Sequence, residues 1–86
     1  MTIEGAVIRE QGVTFAVVIV RAHVLNNKSE ATRIIRELQP AFSNHPVVLM
    51  AQDHRGVPSY YGRPDLVRFM ASVSLSRVPW KRYKIG

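Results

Sequence analysis

The chain has 86 residues, 47% of them hydrophobic, and a formal net charge of +6. That length suits one domain and not two, and that hydrophobic content argues against intrinsic disorder. There is no cysteine, which excludes disulfides, iron–sulfur clusters, thiolate zinc sites and a cysteine nucleophile; a domain this small without such staples points to a reducing cytoplasm.

Ile3 to Glu10 mixes apolar and charged residues and reads as an edge strand. Glu10-Gln11-Gly12 is a turn, since Gly12 can take the positive φ of a tight hairpin. Val13 to Val20 is β-branched and apolar on both faces, so it is expected to be a central strand covered on both sides, or by a partner subunit. Asn27 then caps the first helix, with Glu30 at the third helical position reaching back to the cap. Ala31, Ile34, Ile35, Leu38 and Phe42 repeat at helical spacing, with Arg33, Arg36 and Glu37 opposite. Pro40 should end or kink this helix near Leu38 by pushing Gln39 out of the α region.

After the Asn44-His45-Pro46 break, Val47–Ala51 reads as a second buried strand. Gln52 to Gly56 is a polar hairpin loop, and Val57–Tyr61 returns as a strand in which Pro58 suits an edge or a strand start. Pro64 occupies the first position of a second helix, where its missing N–H costs nothing, and Asp65 complements the positive helix end. Leu66, Phe69, Met70 and Val73 form its inward face. Ser74 to Arg77 is a loop, and Val78–Ile85 is a final short strand or an extended tail.

The fold class expected is therefore α+β, with one domain spanning residues 1–86. Two helices pack on a four- to five-stranded mixed sheet in the order β-β-α-β-β-α-(β). From Val13 onward the order is also compatible with a ferredoxin-like split βαβ arrangement. One segment carries a local likeness. It runs from His45-Pro46-Val47-Val48-Leu49, through Gly56 and Gly62, to Leu66-Val67-Arg68-Phe69. This third of the chain resembles the C-terminal ββα half of thioredoxin-like domains, in which a proline precedes a buried strand and a glycine precedes the last helix. The resemblance implies a cis His45–Pro46 peptide. It implies no redox activity, since that family's cysteines are absent here.

The charge is uneven. Residues 63–86 hold Arg63, Arg68, Arg77, Lys81, Arg82 and Lys84 against Asp65 alone, whereas the basic and acidic residues of 1–62 nearly balance. Such asymmetry suggests an anionic partner: nucleic acid, a phosphate-bearing ligand or an acidic protein face. Met1-Thr2-Ile3-Glu4 lacks the features of a signal peptide, and Val13–Val20 is far short of the ~20 residues of a membrane span. No membrane partner is expected.

Three groups of residues qualify as sites. Asp53-His54-Arg55 joins a histidine to a carboxylate and a cation in one loop, although such residues are also ordinary in solvated turns. Tyr60, Tyr61 and Arg63 precede a helix start and would suit an anion or an aromatic ring, although adjacent tyrosines on a strand face opposite ways. Arg77, Trp80, Lys81, Arg82, Tyr83 and Lys84 interleave cations with aromatics, as single-stranded nucleic acid requires. The alternative is that Trp80 and Tyr83 anchor the terminal segment to the core. His23, His45 and His54 have no metal-ligand spacing, and no phosphate-cradling or hydrolase motif is present. No metal or cofactor is expected.

These features order three functional readings. The first is a small binding or interaction module without catalysis of its own, as a homodimer completing its core through Val13–Val20 or Val47–Ala51. The second is a nucleic-acid-binding protein acting through residues 63–86. The third is a small enzyme using Asp53, His54, Tyr60 or Arg63.

Overall fold

The computed structural model describes residues 1–10 and 12–85. Five strands, β1 (Thr2–Glu10), β2 (Val13–Ile19), β3 (Val47–Gln52), β4 (Pro58–Tyr61) and β5 (Lys81–Lys84), form one mixed sheet in the order β4-β3-β2-β1-β5. The helices are α1 (Ala22–Leu25), α2 (Lys28–Leu38) and α3 (Pro64–Ala71), joined by 3-10 turns at Gln39–Phe42 and Leu75–Arg77. This is the α+β architecture expected, with three short helical segments added to it. No helix among the described residues is long and apolar enough to cross a membrane.

Strand alternation divides the core in two. Phe15, Val17, Val48 and Met50 point to the face covered by Leu66 and Met70 of α3. Ala16, Val18, Val47 and Leu49 point to the other face, covered by Ala31 and Leu38 of α2 and by Phe42. Helices therefore lie on opposite faces. β2 and β3 are direct parallel neighbours, pairing Ala16 with Val47 and Ile19 with Met50. A ferredoxin-like arrangement needs an intervening strand, and it is ruled out on that ground. The two strands expected to complete a dimer core are interior to the sheet and enclosed by the chain's own helices.

Local chemistry explains the boundaries. The Asn27 side chain accepts from the Glu30 N–H at 3.0 Å, capping α2. The reciprocal half of the capping box is not made, because the Asn27 N–H already donates to the Val24 carbonyl of α1. α2 ends at Leu38 as expected, yet Gln39 keeps α-region angles (φ −53°, ψ −43°). The chain meets Pro40 by tightening into a 3-10 turn instead of leaving the helical region.

Ser43 (φ 55°) and Asn44 (φ 60°) then turn the chain through the left-handed region. This aims it along β2, where the Pro46 carbonyl accepts from the Ala16 N–H at 2.9 Å. The turn is complete before the proline, and no cis peptide is found among the described residues. The cis His45–Pro46 bond implied by the thioredoxin likeness is thus absent.

β1 is not an edge over its first half. β5 pairs outside it, matching Thr2 with Lys84 and Gly5 with Lys81. The predicted turn at Glu10-Gln11-Gly12 includes Gln11, which lies outside the described residues; Gly12 has φ 79°. Pro58 begins β4, which is an edge strand. Gly62 (φ 156°) sits so close to β3 that a Cβ would meet the Val47 carbonyl at 3.1 Å.

Candidate binding groove

The residues singled out in the sequence do not converge. Asp53 organises its own loop, with Oδ1 accepting from the backbone N–H groups of Arg55 (2.8 Å) and Val57 (2.9 Å). Its carboxylate is committed to the turn, and His54 and Arg55 project into solvent beside it. Arg63 lies past β4, beside Val47 at the other end of β3. At ~3.3 Å per residue, the six residues from Val47 to Asp53 separate the two groups by ~20 Å.

Tyr60 and Tyr61 face opposite ways. Tyr60 packs with the α3 layer. Its buried hydroxyl has no hydrogen-bond partner, and burial raises its pKa. Tyr61 packs with the α2 layer, where its hydroxyl shares a 2.9 Å hydrogen bond with Thr32. Arg63 is already engaged, donating to both Asp65 oxygens at 2.8 and 2.9 Å. Those hydrogen bonds lower the Asp65 pKa and raise that of Arg63. Tyr61 and Arg63 do share a cavity of ≈ 400 Å³ with Thr32 and Ile35 on one flank of α2.

In the terminal segment the aromatics belong to the core. Trp80 packs in the α3 layer and donates from Nε1 to the Leu75 carbonyl at 3.1 Å. Tyr83 packs edge-on against Phe42, with ring centroids 5.1 Å apart. Both rings are half-buried and packed against the core. Arg77, Lys81, Arg82 and Lys84 are exposed, and none forms an ion pair among the described residues. Exposed lysines on a short edge strand also discourage pairing between sheets.

The other flank of α2 carries what the sequence reading missed. A cavity of ≈ 720 Å³ opens between α2 and the β1–β5 side of the sheet, where β2 ends and the chain turns into α1. Its deepest residues are the buried Val18, Val24 and Leu38. Half-buried Ile3, Val20, Ile34 and Ile85 form its walls. Exposed Met1, Arg21, His23 and Glu37 form the rim.

The wall is held by a reciprocal backbone pair: Met1 N donates to the Ile85 carbonyl at 2.9 Å, and Ile85 N to the Met1 carbonyl at 2.8 Å. The Glu37 carboxylate accepts from Arg33 at 2.8 Å. Apolar clefts of about 300–1,000 Å³ with a few polar groups at the mouth are the usual form of a small-molecule site. Nothing in the sequence joined Arg21 to Ile34, because the groove gathers residues from four separate stretches of the chain, 1–3, 18–24, 34–38 and 85.

Comparison with known families, characterised proteins and solved structures finds no match to this chain.

Proposed function

We propose that this protein is a small binding module without catalysis of its own, and that the groove beside α2 is its site. The observation carrying this reading is the groove itself. Its floor and walls are aliphatic, and its polar side chains, Arg21, His23 and Glu37, stand at the rim. No polar or charged residue is buried among the described residues, so no enclosed acid–base pair accompanies it. A cytoplasmic location fits the same picture, since the core closes without disulfides.

Native mass spectrometry of the purified protein tests the reading, beside an Ile34→Trp variant whose indole fills the groove. A retained or added apolar compound should be bound by the wild type and lost from the variant. Equal binding to both proteins, or methyl resonances of Ile3, Ile34 and Ile85 that stay unmoved on adding decanol, would overturn it.

A second reading is an anionic partner at β5. It is favoured by one observation, the exposure of Lys81, Arg82 and Lys84 with no salt bridge among the described residues, although Glu4 lies opposite Arg82. A mobility shift with nucleic acid that weakens steeply as salt rises supports it, and no shift at low salt rejects it.

A further inference from the structure

From the groove we infer a ligand class: an amphiphilic anion, meaning an aliphatic chain ending in a carboxylate. This rests on the groove being the binding site. The side chains of Val18, Leu38 and Ile34 offer only methyl and methylene surface, and no polar or charged residue is buried among the described residues to recognise polar groups along a ligand's length. A polar ligand body would lose its water and gain nothing there. An alkyl chain loses only unfavourable hydration, so the interior selects an aliphatic segment.

The rim selects the charge. Arg21 brings a permanent cation to the mouth and makes no ion pair among the described residues. His23, two residues on, adds ring N–H donor capacity. Among the described residues, Glu37 is the acidic side chain at the rim, and it is engaged by Arg33 Nη1 at 2.8 Å, an arginine that Glu30 also approaches at 3.9 Å. Among the described rim residues, the charged side chain without an ion-pair partner is therefore the cation Arg21. A carboxylate at the mouth can meet the Arg21 guanidinium while its chain lies along Ile3 and Ile34.

Methyl NMR titrations with decanoate, decanol and decyltrimethylammonium, each below its micelle concentration, test this on the full chain. Decanoate should bind tightest, shifting the Ile34 and Ile85 methyls. Each methylene removed, from decanoate through octanoate, should weaken binding by up to about fourfold. Arg21→Glu should weaken decanoate about three- to tenfold while leaving decanol within about twofold. Arg21 is exposed, and an unchanged amide spectrum verifies that the variant is folded.

Equal affinity for all three probes, with no effect of Arg21→Glu, would overturn the anionic assignment and leave the groove reading standing. Tightest binding of decyltrimethylammonium would overturn it in favour of Glu37 as the head-group partner. Groove methyls unmoved by every probe would remove both the ligand class and the site.

Discussion

Thr32 Oγ1 and Tyr61 Oη lie 2.9 Å apart across 29 residues of chain, joining the outer turn of α2 to the edge strand β4. The bond also separates the roles of two neighbouring tyrosines, since Tyr60 reaches the opposite face. Removing one partner by Tyr61→Phe should cost about 0.5–1.5 kcal/mol in urea unfolding. Thr32→Val should cost a similar amount. The double variant should cost less than the sum, and strict additivity would show that the pair is not coupled.

Phe15 is fully buried beneath α3 and meets Phe69 edge-on, with centroids 6.2 Å apart and planes at 88°. Phe15→Ala should therefore lose about 3–5 kcal/mol, a large part of the ~5–15 kcal/mol typical of a whole domain. The urea midpoint should fall sharply with the slope unchanged. A loss below 1 kcal/mol would mean that the α3 layer is not a packed core.

The Arg63–Asp65 pair sets a pH dependence of known sign. Hydrogen bonds from Arg63 hold the Asp65 carboxyl below its ordinary value of 3.8. A depressed folded-state pKa adds stability that is complete above 3.8 and lost as pH falls through the lower folded value. Carbon-detected NMR should find Asp65 titrating below 3.8, and Arg63→Ala should move that midpoint upward. An unchanged midpoint in the variant would assign the shift to another cause.

Trp80 reports on the nucleic-acid reading. Its half-buried ring packs against the core and its Nε1 donates to the Leu75 carbonyl, so an added single-stranded oligonucleotide should leave its emission unshifted even if Lys81 and Arg82 bind phosphates. Strong quenching on addition would show that the ring stacks on bases. Trp80→Phe should cost about 0.5–1.5 kcal/mol through the lost hydrogen bond.

Much of the element order is written locally in the chain. Asn27 caps α2 through its own side chain, Pro64 starts α3, and Pro58 marks an edge, because each acts over three or four residues. The alternation of Phe15, Ala16, Val17 and Val18 likewise demands cover on both faces of β2. The candidate sites fared differently. Asp53, Tyr60 and Arg63 were grouped by residue type and nearness in sequence, whereas the fold puts them on different ends and faces of one hairpin.

By itself, then, the sequence determined the five strands, the two longer helices, the Asn27 cap and the two-sided core, all of which follow from backbone chemistry and periodicity over short stretches. Only the tertiary structure decided that β2 and β3 run side by side, that α2 and α3 take opposite faces, and that β5 closes on β1. Those are long-range pairings, chosen by which apolar faces can be buried together. The groove is their product. Met1, Ile3, Val20, Ile34 and Ile85 become neighbours only once Met1 and Ile85 pair and α2 lies across the sheet.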